Sequence, residues 1–181
     1  MLNKEQEHVL PLWVQVVYAV SRALGVFSAG LIVLAVVVVC QMVFVRAVLG
    51  ESSIWQTEFS TFAILAATFL GAPYILLTRG HVGVDILPMM VAGNKRRALY
   101  FAGSFVALFF CGLFFYASLS WWYETWSSGH TTSSMWRARL WIPHLSVPVG
   151  VGLLCVQYLT EIWLVWTRKE EPYGMTPGVH V

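Results

Sequence analysis

Between Phe59 and Leu77 the chain reads FSTFAILAATFLGAPYILL, an apolar stretch without a single charge. Trp55-Gln56-Thr57-Glu58 precedes it, and Arg79-Gly80-His81-Val82-Gly83-Val84-Asp85 follows just after it. A helix needs about 20 apolar residues to cross a hydrocarbon core of about 30 Å. No water is available there to bond exposed N–H and C=O groups, so a lone apolar segment of this length must be a helix rather than a strand. A carboxylate marks one mouth of the span and a compact polar turn closes the other.

Working outward, three more segments have the same character. Ala23 to Val45 carries only Gln41 as a strongly polar member, Ala98 to Trp122 is rich in Phe, and Leu140 to Trp166 is interrupted by Pro143, Pro148 and Glu161. Of the 181 residues, 58% are hydrophobic and 11% charged. A soluble domain has about 25% charged residues, so lipid is the main solvent, in keeping with a mean hydropathy of +0.69. The expected fold class is an all-α integral membrane protein, a single four-helix domain with spans at 23–45, 59–77, 98–122 and 140–166. With Pro11 to Arg22 the first helix would be too long for the bilayer, so either it is strongly tilted or this segment lies along the interface with Trp13, Val14 and Val17 turned down, the second being favoured. The tail 172–181, with Pro172, Gly174, Pro177 and Gly178, is expected to be flexible.

Charge gives orientation. Lys4, Arg22, Arg79, Lys95, Arg96, Arg97, Arg168 and Lys169 fall on one side, against Arg46, Arg137 and Arg139 on the other. The side richer in Lys and Arg is cytoplasmic, which puts both termini there. Glu5 and Glu7 lead into a span too long for a cleavable signal, so the first span is expected to act as the insertion signal. A net charge of +2 and a longest basic run of Lys95-Arg96-Arg97 give no footprint for nucleic acid. Small residues recur every four positions at Ser21/Gly25/Ala29, Ala63/Ala67/Gly71 and Gly103/Ala107/Cys111, a spacing that lets helices approach closely.

Chemistry-bearing residues are few. Cys40, Cys111 and Cys155 lie inside apolar segments and form no metal-binding or redox pair. The five histidines, His8, His81, His130, His144 and His180, lie away from mid-span, which disfavours a bis-histidine haem site. There is no His-Glu-x-x-His, Gly-x-Ser-x-Gly or glycine-rich phosphate loop, so neither an enzyme nor a cofactor or metal site is expected. Glu58 is either a proton- or cation-carrying carboxylate or an interfacial group pairing with Arg46 or a partner. Its place in a first helical turn, where the dipole favours an anion, supports the second. Glu161 lies about 10 Å along the helix from Arg168 and is expected to pair structurally. His81 and Asp85 sit four residues apart in the second loop, as a docking surface or a capped turn.

The set Trp55-x-x-Glu58, Gly71-Ala72, Gly80-His81-Val82-x-Val84-Asp85 and Trp141-Ile142-Pro143-His144-x5-Gly150 resembles the small membrane subunit of tripartite ATP-independent periplasmic (TRAP) transporters, the DctQ-like or Q component. Arg46 fits the family's basic position after the first helix. Thr57 departs from it, since another acidic residue often stands there. The resemblance covers about Arg46 to Gly152. It implies an inner-membrane scaffold for a large M subunit, which imports an organic acid on an ion gradient. The acid is delivered by a periplasmic binding protein. On that reading Arg46, Trp55, Glu58, His81, Asp85 and Glu161 are subunit-interface or structural positions, Glu51, Arg137 and Arg139 could meet the binding protein, and membrane lipids surround the rest. The competing reading is a self-sufficient proton-coupled exporter that uses Glu58 or Glu161.

Overall fold

The computed structural model describes residues 10–50, 54–78 and 94–167. Its helices are α1 (Leu12–Leu49), α2 (Trp55–Leu77), α3 (Asn94–Ser128), α4 (Trp141–His144) and α5 (Ser146–Trp166). Only Leu145 separates α4 from α5, and together they form one span. Among the described residues four helical spans are thus long and apolar enough to cross a membrane, and the protein is an all-α integral membrane protein. Expected and observed bounds differ chiefly at the ends: α1 begins at Leu12 and α3 runs on to Ser128. Gly50, at φ +67, ends α1 in the left-handed conformation that glycine adopts without steric cost.

Pro11 to Arg22 does not turn off along the interface. It is the start of one unbroken 38-residue helix, about 57 Å long at 1.5 Å per residue. The physical reason is a protein partner. Val14, Tyr18 and Ser21 recur on one face and are buried. Val14, expected to face lipid, is fully enclosed in a cluster with Tyr18 and Leu164, bordered by Leu10, Leu77 and Trp163. Trp13 sets its edge against Trp163, with ring centroids 5.0 Å apart.

The helices form a row rather than a closed bundle. α2 and α5 occupy the middle, α1 lies along α2, and α3 lies along α5. In the most apolar window of each span, 33% of α2 and 39% of the α4–α5 span is buried, against 17% of α1 and 6% of α3. The flanking helices therefore give most of their surface to the surroundings. We call the end with Gly50 and the 129–140 loop the turn end, and the end with Leu10 and Thr167 the terminal end.

Backbone proximity sets the central contact. A Cβ on Gly150 would collide with the carbonyl of Phe69 and lie 3.0 Å from Leu70 N, so α5 touches the α2 main chain there. Pro73, four residues after Phe69 and buried inside α2, has no N–H. The Phe69 carbonyl thereby loses its ordinary helical donor and is exposed to the Cα of α5, a contact of the weak Cα–H···O type seen between close-packed helices. Glycine at 152 repeats the device toward α3, where a Cβ would sit 2.9 Å from the Phe115 ring. Phe69 and Phe114 stack with centroids 5.8 Å apart.

The α1–α2 seam uses the first two small-residue stripes. Gly25 admits the Tyr74 ring, and a Cβ on Gly71 would be 3.3 Å from Ser28. Near the turn end Thr57 Oγ1 donates to Met42 Sδ at 3.4 Å. The third stripe differs: Gly103 has nothing within 4 Å of where its Cβ would be, so it packs on no described residue.

Gly150→Ala is expected to destabilise the protein by about 1–3 kcal/mol, the usual cost of overpacking, and to lower the thermal unfolding midpoint in detergent. Gly103→Ala, placed in open space, should leave the midpoint unchanged or raise it slightly. Equal midpoints for the two variants would show that the α2–α5 contact is not tight.

Candidate functional site

The most connected polar group lies at the terminal end, where α1 has passed the end of α2 and rests directly on α5. Gln157 is 0% exposed and Glu161 7% exposed, one turn apart on the same face of α5. Opposite them stand Ser21 and Tyr18, one turn apart on α1. Ser21 Oγ donates to Gln157 Oε1 at 3.1 Å, Gln157 Nε2 donates to Glu161 Oε1 at 3.0 Å, and Tyr18 Oη donates to Glu161 Oε1 at 3.3 Å. Ser21 Oγ, Tyr18 Oη, both polar atoms of Gln157 and Glu161 Oε1 thus each meet a complement, as buried polar groups require. Leu77, the last residue of α2, borders the adjoining apolar cluster, so this network sits at the level where α2 ends and not at mid-span. Nearby, Arg97 Nη2 on α3 donates to the Val165 carbonyl at 2.9 Å, placing a cation on the C-terminal turn of α5.

At the turn end the polar groups are less complete. Glu58 lies in the first turn of α2, and its Oε2 is buried with no hydrogen-bond partner. Gln56 Oε1 and Ser60 Oγ, both on buried residues of α2, are also unbonded, as is His144 Nδ1. The His144 ring stacks on Trp121 with centroids 3.9 Å apart. Trp122 Nε1 donates to the Trp141 carbonyl at 3.1 Å, tying α3 to α4 in one aromatic layer. Trp55, 41% exposed, marks the same edge from α2.

Arg46 is exposed in the last turn of α1, where its charge suits the helix C-terminus. Among the described residues it does not pair with Glu58, so of the two partners weighed for that carboxylate Arg46 is not the one engaged. Register gives the reason: Met42 faces Thr57, which carries Arg46 beyond the start of α2. Arg137 and Arg139 are exposed on the 129–140 loop. Glu51, His81 and Asp85 lie outside the described residues, as does the tail 172–181.

Sequence reading placed Glu161 in a structural pair but did not find Tyr18, Ser21 or Gln157. The available signals were the i, i+4 spacing of Gln157 and Glu161 and the i, i+3 spacing of Tyr18 and Ser21. Neither says that the two helices meet. Chemically, the arrangement binds helices together. Between the two ends, residues 23–45, 59–77, 98–122 and 146–160 contain no Asp, Glu, Lys or Arg, so no relay of charged groups crosses the spans. Among the described residues, no group of three His, Cys, Asp or Glu side chains converges as a metal site would need.

Comparison with known proteins adds a family. Residues 34–168 match the family described as tripartite ATP-independent periplasmic transporters, DctQ component. The chain is 27% identical over 129 residues to the C4-dicarboxylate TRAP transporter small permease protein DctQ of Pseudomonas aeruginosa, covering 70% of this chain and 61% of that protein. It is 24% identical over 110 residues to the protein of the same name from Rhodobacter capsulatus, covering 61% of this chain and 48% of that one. The matches thus span about half to three-fifths of these relatives' lengths.

Gln157→Leu is expected to cost about 1–3 kcal/mol, because it strips bonding partners from buried Ser21 and Glu161. Tyr18→Phe, which removes one longer bond, should cost less, about 0.5–1.5 kcal/mol. Thermal unfolding in detergent reads both. A Gln157→Leu protein as stable as the parent would remove the network from the account of α1–α5 packing.

Proposed function

Because the chain belongs to the DctQ-component family of tripartite ATP-independent periplasmic transporters, we propose that it is the small membrane subunit of such a transporter. It braces a large transport subunit that takes up an organic acid on an ion gradient, the acid arriving on a periplasmic binding protein. The names of its relatives make a C4-dicarboxylate one instance of that substrate class. In this reading the chain lies in a bacterial inner membrane, with the turn end periplasmic and both termini cytoplasmic. It performs no chemistry of its own.

The observation that carries the reading is the separation of the ionisable groups. A carrier that worked alone would need polar or charged groups near the membrane midplane, typically on interrupted helices. Here Glu58 and Glu161 stand at opposite ends of the spans, and Glu161 is engaged by Tyr18 and Gln157. The row of helices supports a scaffold as well. α1 and α3 expose long apolar faces, including Phe105, Phe109 and Phe110 on α3, and Gln41 is exposed inside the apolar length of α1. An amide in that position is favourable where a neighbouring helix accepts its hydrogen bonds. Arg46, Trp55 and Glu58 gather near the turn end as candidates for the rim of that subunit interface. Arg137 and Arg139, with Glu51, belong to the face that the binding protein would approach. His81 and Asp85 would shape the cytoplasmic turn after α2.

In proteoliposomes, the chain alone is expected to move no C4-dicarboxylate, while the chain with its large subunit and binding protein should support gradient-driven uptake. Glu161→Gln is expected to keep most of that uptake. Transport by the isolated chain, abolished by Glu58→Gln or Glu161→Gln, would instead establish the self-sufficient exporter.

A further inference from the structure

Cys111 and Cys155 are distant in the chain and form no pair by spacing, yet the fold sets them across one seam. α3 and α5 run antiparallel and touch along their length. At the terminal end Arg97 reaches the Val165 carbonyl, and the Phe101 and Trp166 rings meet with centroids 5.8 Å apart. At the turn end Trp122 reaches the Trp141 carbonyl. Between these contacts Gly152 lies against the Phe115 ring. Cys111 is four residues from Phe115 and Cys155 three from Gly152, both toward the terminal end. Each therefore stands one turn along the contacting face of its helix, and the two thiols share one height. Cys111 lies within electrostatic reach of both Cys155 and Tyr158, as that register requires.

The pair is also deep. Each cysteine is about 16 Å or more along its helix from either end of its span. Both are free thiols, half-buried and open in part to the surroundings. Charge is strongly disfavoured at this depth, so a ligand must arrive neutral and leave the site neutral. A structural zinc ion takes four ligands, and among the described residues no third His, Cys, Asp or Glu joins the two thiols. A soft acceptor is the match for sulfur. Trivalent arsenic meets each condition, because its acids and oxides are neutral and two thiols bind it without creating charge. Each thiol proton passes to an oxygen on arsenic, an As–S bond replaces an As–O bond, and the oxygen leaves as water. Nothing is oxidised or reduced.

We propose that Cys111 and Cys155 form a two-thiol binding site for neutral trivalent arsenicals in the middle of the membrane. Packing alone would accept small residues at any height, whereas a bridging ligand needs two thiols at one height on facing helices. A bridge through arsenic also spans more than a disulfide does, which tolerates Cα separations only up to about 7 Å. Bound there, the ligand clamps α3 to α5. Only 6% of the most apolar window of α3 is buried, and α3 rests on the remainder of the protein chiefly through α5. The clamp thus acts on the least anchored helix. The site stands independently of the transporter-subunit reading.

The test uses the reduced full chain in phospholipid nanodiscs and phenylarsine oxide as probe, with an excess of a monothiol as competitor. The parent is expected to hold one phenylarsenic group, read by intact mass, and to release it to a small dithiol. Cys111→Ser and Cys155→Ser are each expected to weaken retention about a hundredfold or more, the gain when a second bond becomes intramolecular. Cys40→Ser, at an exposed position on α1, should bind as the parent does. The probe should raise the thermal unfolding midpoint of the parent and not of the two single variants. A readout on the parent alone guards against variants that do not fold. After the probe binds, a lipid-soluble maleimide should label Cys40 and spare Cys111 and Cys155. Equal retention in the parent and either single variant, a loss in Cys40→Ser, or labelling of Cys111 and Cys155 despite the probe overturns the proposal.

Discussion

The close approach of α5 to the backbone of α2 is the constraint on which the other contacts depend. Glycine at 150 removes the Cβ that would strike the Phe69 carbonyl, and proline at 73 withholds the N–H that would normally occupy that carbonyl. Hydrophobic attraction does not hold helices together in lipid, because the lipid is as apolar as the side chains. Close main-chain contact and matched polar groups must do so instead. With α2 and α5 fixed as a central pair, α1 takes the outer side of α2, α3 takes the outer side of α5, and the row follows.

The same principle explains where the polar groups lie. Once α1 outruns α2 it rests on α5, and there the Tyr18–Glu161–Gln157–Ser21 network supplies the matched polarity. At the opposite end Glu58, Gln56, Ser60 and His144 leave buried atoms unbonded. Among the described residues, the buried polar groups of the terminal end are bonded within the chain and several of those at the turn end are not. A subunit that braces a larger membrane protein fits this placement of ionisable groups at the two ends better than a carrier does, since a carrier would need its polar groups between them.

Much of this was legible in the residues. The spans follow from apolar length, and the resemblance carried by Trp55, Glu58, Gly80 to Asp85 and the Trp141–Gly150 stretch agrees with the family matched over residues 34–168. Two of the three small-residue stripes mark real contacts. The third does so only in part: Gly103 faces open space, whereas Cys111 lies close to Cys155 and Tyr158 on α5. Spacing shows that a face is smooth without showing what lies against it. Pro11 to Arg22 was misplaced for a related reason. Its apolar character suits an interface and a protein surface equally, and only the presence of Leu164 and Glu161 on α5 decides between them. Of the two partners weighed for Glu58, Arg46 and another subunit, register sets Arg46 apart from it, and a sequence does not carry register.

By itself, then, the sequence determined the solvent, the helices, their number and the family. Each of these depends on local properties: runs of apolar side chains, prolines, and short motifs read in order. The tertiary structure alone decided the row of helices, the union of α1 with α5, the partners of Glu161 and the meeting of Cys111 with Cys155. These depend on which surfaces meet and at what register. Residues far apart in the chain fix that jointly, through one carbonyl left open by a proline and one glycine small enough to reach it.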